Sequence, residues 1–235
     1  MKAVIMAGGE GTRLRPLTSN APKPMMPLAN RPMMEHVVAL LRDHGITEIV
    51  VTVAFMAETI RTFFGDGSEF GVQMTYATEE TPLGTAGSVR NAMEHLDDTF
   101  LVISGDVLTD MDLGAIIGAH RAAGAVATIG LVRVDNPLEY GIVITDEDGN
   151  IERFLEKPTW GQVFSDTINS GIYVLEPRIF DWIPADQSVD FSGEVFPAVL
   201  AAGERVLGAV GRGTGRTWAH SMPTCVPTRT SSTAA

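Results

Sequence analysis

Apolar residues in this chain fall into short continuous runs separated by segments of helical spacing, and their order predicts the architecture. Residues 2–7 form an apolar β-type run that ends in glycines. A loop follows to Asn30, and then Met33, Val37, Leu40 and Leu41 keep to one helical face within residues 32–44, ahead of Gly45. Residues 47–53 and 72–77 read as strands, 56–64 and 84–96 as helices, and 100–104 as another buried strand. This alternation predicts a parallel sheet covered by helices. A helix from about Asp112 to Ala123 leads to a strand over 125–134, after which the pattern changes. Residues 140–145 and 151–157, joined by the turn 146–150, have the form of a hairpin. A strand over 168–175, a helix near 194–202 and a strand near 206–210 follow. This later region is expected to be an antiparallel elaboration of the same domain. No internal repeat is visible.

Composition narrows the function classes. With 235 residues, 45% hydrophobic and 20% charged, the chain has the balance of a soluble globular protein able to bury a substantial core. A formal net charge of −12 gives no basic field for a nucleic-acid backbone, so a polyanionic ligand must be met by local cations or by metal. Residues 1–7 carry no small-residue cleavage site, and no apolar stretch approaches the ~18 residues that span a bilayer. A cytoplasmic protein with no membrane partner is expected. Cys225 is the only cysteine, which excludes an intrachain disulfide and a Cys-based zinc site. His36, His44, His95, His120 and His220 show no metal-ligand spacing.

Candidate chemistry concentrates after the first strand. Gly8-Gly9-Glu10-Gly11-Thr12-Arg13 follows it directly, with Arg15-Pro16-Leu17-Thr18 and Pro22-Lys23-Pro24 next. This is not a Walker loop, which ends in Gly-Lys-Ser/Thr, nor a dinucleotide fingerprint, since Arg13 holds the sixth place and prolines follow. Glycines let backbone N–H groups approach phosphate or base closely, and Arg13 and Lys23 supply cations to a triphosphate. A plain glycine-rich turn with solvated charges would account for the first glycines alone.

The longer string changes that balance. Gly8-Gly9-x-Gly11-Thr12-Arg13-x-x-Pro16-Leu17-Thr18 with Pro22-Lys23-Pro24 resembles the signature of the sugar-1-phosphate nucleotidyltransferases, or NDP-sugar pyrophosphorylases. The resemblance continues in Pro82-Leu83-Gly84-Thr85-Ala86-Gly87, Ser104-Gly105-Asp106, Glu156-Lys157-Pro158 and Asn169-Ser170-Gly171-Ile172-Tyr173, and covers the chain to about Val210. It implies a Rossmann-like three-layer α/β/α sandwich with a mostly parallel sheet and an antiparallel substrate-side elaboration. It also implies condensation of a nucleoside triphosphate with a sugar 1-phosphate to NDP-sugar and pyrophosphate. GTP with mannose 1-phosphate is favoured, because the 82–87 string looks most like the guanylyl members. Glucose 1-phosphate with dTTP or UTP follows closely.

Such a reaction needs no general base, because the attacking phosphate oxygen is already anionic. The work is to position two repelling anions and to neutralise charge. By the resemblance, Arg13 would hold the β- and γ-phosphates, Lys23 would bridge the reacting phosphates, and Asp106 at a strand's carboxyl end would ligate Mg2+. Gly8, Gly9, Gly11, Thr12, Glu79, Pro82 and Gly84 would bind the nucleotide. Gly141, Glu156, Lys157 and Asn169 would meet the sugar phosphate. Asp110 and Asp112 read instead as turn and helix-cap residues, and Asp146, Glu147 and Asp148 as a solvated turn. Homo-oligomerisation is left open.

The pattern departs from the family at the end. A second metal-binding Asp is expected after the 206–210 strand, in a string like Tyr-Trp-x-Asp-Val/Ile-Gly-Thr, and the chain has none. Residues 214–235 are rich in Thr, Ser, Pro and Arg without periodicity and read as a disordered tail, so that 1–210 would be the catalytic domain and 211–235 an aberrant segment. Codons displaced by one base permit Thr214 to Met222 to spell Tyr-Trp-Glu-Asp-Val-Gly-Thr-Leu-Asp, so a frameshift between Val210 and Thr214 is expected, with a divergent natural tail as the alternative. Loss of that carboxylate would weaken Mg2+ and nucleotide binding. A weakly active sugar-nucleotide-binding regulatory protein therefore stays open. So does a glycosyltransferase using Asp110-Met111-Asp112, although such an enzyme would not need the Arg13 and Lys23 loop.

Overall fold

The computed structural model describes residues 1–12, 15–134, 136, 141–155 and 165–211. In chain order they form β1 (Lys2–Met6), β2 (Pro27–Leu28), β3 (Arg31–Pro32), α1 (Met33–Asp43), β4 (Glu48–Val53), α2 (Ala57–Phe64), β5 (Gln73–Thr78) and α3 (Gly84–Asn91). Then come β6 (Phe100–Ser104), α4 (Leu113–Ala123), β7 (Ala127–Arg133), β8 (Ile142–Thr145), β9 (Ile151–Leu155), β10 (Thr167–Leu175), α5 (Phe196–Ala201) and β11 (Val206–Val210).

The strands that are apolar at successive positions lie where both faces are covered. β1 runs parallel to β4 on one side, with Ala3 opposite Ile49, and to β6 on the other, with Ala3 opposite Leu101. Side chains alternate across a strand, so Val4, Phe100 and Val102 enter one core while Ala3, Ile5, Leu101 and Ile103 enter the other. The first core is closed by Ala86 and Val89 of α3, Phe196 and Val199 of α5, and Phe180. The second is closed by Met34, Val37, Val38 and Leu41 of α1, Ile60 and Phe64 of α2, and Leu113 and Ile116 of α4. The result is the expected three-layer sandwich.

Strand order in the main sheet is β11-β7-β10-β6-β1-β4-β5, with β8 and β9 branching from β10. The antiparallel part is not confined to an appendage. β10 sits inside the sheet, antiparallel to both β6 and β7, while β8 and β9 form the anticipated hairpin. Within β10, Asn169 lies opposite Leu131 and Tyr173 opposite Ile129, so the strand bulges between them. Gly171 takes φ +78° there. A bulge of this kind re-aims side chains at the cost of local pairing.

Two helices are shorter than their patterns suggested. α3 ends at Asn91 and is followed by a 3-10 turn over Met93–His95. α5 begins only at Phe196, after a π turn over Phe191–Val195. Pro197 accounts for this, because its missing N–H and its ring prevent a regular α ladder running through the preceding turn.

Candidate active site

Parallel strands bring their carboxyl ends to one edge, and the loops leaving that edge build the cleft. Ala7 N–H donates to Thr52 O (2.9 Å), Gly105 N–H to Met6 O (2.9 Å) and Glu79 N–H to Val53 O (2.9 Å), so the exits of β1, β6 and β5 are tied together. They enclose about 490 Å³, lined by Gly8, Gly9, Gly11, Thr12, Lys23, Glu79, Pro82, Gly84 and Asp106 among others. Those residues were all singled out in the sequence. Gly141 and Asn169 are described but lie outside this lining. Arg13, Glu156 and Lys157 lie outside the described residues, as does nearly all of the tail.

The glycine loop folds directly over Lys23. Thr18, itself buried, donates its hydroxyl to Gly11 O (2.8 Å). Gly11 takes φ +63°, and a Cβ there would stand 2.9 Å from Lys23 Cβ. Only glycine combines that backbone with that contact. Lys23 opens a 3-10 turn over Lys23–Met25 and forms an ion pair with Asp106, the side chains being 17% and 21% exposed. Ser104 donates to the other carboxylate oxygen of Asp106 (2.6 Å).

The opposite end of the cleft is built around a buried carboxylate. Ser88 donates to Glu79 Oε1 (2.6 Å) and Leu83 N–H to Oε2 (3.3 Å), while the Thr52 and Ser88 hydroxyls are 2.7 Å apart. Gly8 lies against it, since a Cβ there would be 2.9 Å from Glu79 Oε1. Gly84 lines the cleft as expected, yet the space its side chain would need belongs to Val189 O, 2.6 Å away.

Ser88 and Asp190, which no sequence motif singled out, also line the cleft, as does Thr85, which the 82–87 string contains without giving it a role. Thr85 donates to Asp190 Oδ2 (2.8 Å), and Asp190 N–H donates to Glu194 Oε1 (2.9 Å). Asp190 caps the π turn, a role its residue type suits; its place on the cleft is set by the fold and not by any spacing in the sequence. Behind this wall Asn169 Nδ2 donates to Tyr173 Oη (3.0 Å) and Ser192 Oγ (2.9 Å), and its Oδ1 accepts from Gly171 N–H (2.8 Å). Burial pushes the Tyr173 phenol up to about 12.

Other candidates take structural roles. Asp112 caps α4 by accepting from Ala115 N–H (3.0 Å), and neither Asp110 nor Asp112 is among the residues lining the cleft. Asp146 accepts from Asp148 N–H (2.9 Å) and Asn150 N–H (2.8 Å) within its turn. His120 is buried between Thr128 Oγ1 (2.8 Å) and Glu176 Oε1 (3.0 Å). Among the described residues no three His, Cys, Asp or Glu side chains converge on a metal position. Asp106 alone suits an ion shared with substrate phosphates, as Mg2+ commonly is, and not an ion caged by protein. No described helix is long and apolar enough to cross a membrane.

The family model described as Nucleotidyl transferase matches residues 2–219. The chain is 43% identical over 217 residues to the UTP–glucose-1-phosphate uridylyltransferase of Synechocystis, covering 86% of this chain and 56% of that protein. It is 43% identical over 207 residues to the mannose-1-phosphate guanylyltransferase of Mycobacterium tuberculosis, with the same coverage of 86% and 56%. The chain thus spans about half the length of these curated relatives. A Bacillus anthracis structure described as a glucose-1-phosphate thymidylyltransferase superposes with a TM-score of 0.82 at 26% identity, over 93% of this chain and 90% of that one. With a match over residues 2–219 and relatives at 43% identity, the chain belongs to the nucleotidyl transferase family.

Proposed function

We propose that this cleft joins a nucleoside triphosphate to a sugar 1-phosphate. An oxygen of the sugar phosphate attacks the α-phosphorus, the bond to the bridging α–β oxygen breaks, and pyrophosphate leaves with the electron pair. The observation that carries the reading is the meeting of Lys23 and Asp106 beneath the glycine loop. The Lys23 ammonium neutralises charge as the two phosphates approach, and backbone N–H groups of residues 8–12 contact the triphosphate. Asp106 would hold Mg2+, which supplies further charge neutralisation on the phosphates when bound. Arg13 is the second cation for the departing pyrophosphate.

GTP is the favoured triphosphate on the chemistry of Glu79. A carboxylate only accepts hydrogen bonds, and guanine offers N1–H and N2–H donors side by side on one edge. Uracil and thymine offer a single N–H flanked by carbonyl oxygens, which a carboxylate repels. Mannose 1-phosphate is the favoured sugar, supported by the Mycobacterium tuberculosis relative. The Synechocystis relative supports a second reading, UTP with glucose 1-phosphate. The test is a matrix of GTP, UTP and dTTP against mannose and glucose 1-phosphates, scored for pyrophosphate. GTP with mannose 1-phosphate should give the highest kcat/KM; a clear preference for UTP or dTTP would reverse the Glu79 argument while leaving the reaction class standing.

A further inference from the structure

A hydrogen-bonded series runs from the Glu79 end of the cleft to β10, and Thr85 is its centre. Residues 187–190 cross the start of α3, with Val189 N–H donating to Leu83 O (2.9 Å) and Ala86 N–H to Val189 O (2.9 Å). The crossing is backbone on backbone. A Cβ at Gly84 would stand 2.6 Å from Val189 O, and one at Gly87 2.6 Å from Gln187 O. Leu83 therefore serves both sides, its N–H directed to Glu79 Oε2 (3.3 Å) and its carbonyl to Val189.

Thr85 fixes what comes next. Its hydroxyl donates to Asp190 Oδ2 (2.8 Å) and accepts from Phe191 N–H (2.9 Å). A carboxylate cannot donate and an amide N–H cannot accept, so the hydroxyl has one proton arrangement and a fixed direction. Asp190 Oδ1 accepts from Gly193 N–H (2.8 Å), which sets the first turn of the π segment. Ser192, inside that turn, accepts from Asn169 Nδ2 (2.9 Å). Asn169 is thus oriented by a turn whose start is held by Thr85.

We propose that Thr85 and Asp190 form a latch through which the nucleotide end of the cleft sets the position of Asn169, making Thr85 a positioning residue for the sugar phosphate. The inference rests on the function proposed above, and on the sugar-phosphate role that the family resemblance implies for Asn169. It gives the glycines of the 84–87 string a reason of their own, since side chains there would lift residues 187–190 and carry the latch with them.

The test compares Thr85→Val, which keeps shape and loses the hydroxyl, with Thr85→Ser, which keeps it. Steady-state kinetics with the triphosphate and sugar 1-phosphate pair that releases most pyrophosphate should show KM for the sugar phosphate raised at least ~10-fold in Thr85→Val. KM for the triphosphate should change less than ~3-fold, and Thr85→Ser should restore both. Equal rises in both KM values, or no change in either, would overturn the latch. Hydrogen exchange gives a readout independent of turnover. Adding GTP with Mg2+, or UTP with Mg2+, to the unaltered chain should slow exchange at Phe191 and Gly193, and Thr85→Val should abolish that response. Nucleotide protection confined to residues 8–12 and 79–84 in both proteins would also overturn it. An unaltered chain that releases no pyrophosphate from any pair would count against the proposed function, and the exchange response would then decide the latch alone.

Discussion

Lys23 and Asp106 form an ion pair at the floor of the cleft, where β1 and β6 end side by side and Ser104 holds the second oxygen of Asp106 at 2.6 Å. Each charge is the other's partner within the protein, and each is also a group the proposed reaction requires. Lys23→Met and Asp106→Asn should each lower kcat by about 100-fold or more, measured as pyrophosphate release. Because the two act on the same phosphates, the double variant should be little worse than the poorer single one. Losses that multiply would show that they work independently.

Glu79 gives a second prediction. Glu79→Gln keeps the shape and exchanges one acceptor oxygen for a donor, which suits a pyrimidine edge better. The ratio of kcat/KM for GTP over UTP should fall by ~100-fold. Gly8→Ala should also impair GTP use, since its Cβ would stand 2.9 Å from Glu79 Oε1. An unaltered ratio in both variants would remove Glu79 from base selection.

Glycines separate into costly and free positions. At Gly84 and Gly87 a Cβ meets main-chain oxygens at 2.6 Å, and Gly84 also has φ +72°. Gly84→Ala and Gly87→Ala should each destabilise by about 2–3 kcal/mol in denaturant titrations. Gly118, exposed in α4, has nothing within 4 Å of its Cβ position. Gly118→Ala should stabilise by about 0.5–1 kcal/mol, because alanine is the better helix former.

Tyr173 makes stability depend on alkaline pH. Its phenol is raised by burial to about 12 from 10.0, so the folded protein holds the proton over a range in which the unfolded chain releases it. Its contribution is whole below pH 10 and is lost as pH rises toward 12, by up to about 3 kcal/mol. The measurement is denaturant midpoint against pH for the unaltered chain and Tyr173→Phe. The variant should lose that part of the slope; parallel curves would mean the phenol ionises in the folded state as it does in water.

Much of this was legible in the residues. A run such as Ala3-Val4-Ile5, apolar on both faces, announces a strand covered on both sides, and the loops at the ends of such strands pointed to Lys23, Glu79 and Asp106. The place of β10 was not legible, because Asn169-Ser170-Gly171 interrupts its apolar pattern and its partners are set by long-range pairing. The contact of Thr85 with Asp190 joins residues 105 apart in the chain, and no spacing rule reaches that far. Gly84 is a nucleotide-binding expectation from sequence, and the close crossing of residues 187–190 over Gly84 and Gly87 is a demand that only the fold shows.

The proposed reaction is tested outright by a 31P NMR spectrum of the chain with GTP, mannose 1-phosphate and Mg2+. Pyrophosphate and a nucleoside diphosphate sugar should appear in equal amounts, only when both substrates are present, and at least about 100-fold more slowly in the Lys23→Met variant. Release of orthophosphate, turnover of GTP without the sugar phosphate, or undiminished turnover in the variant would contradict this expectation.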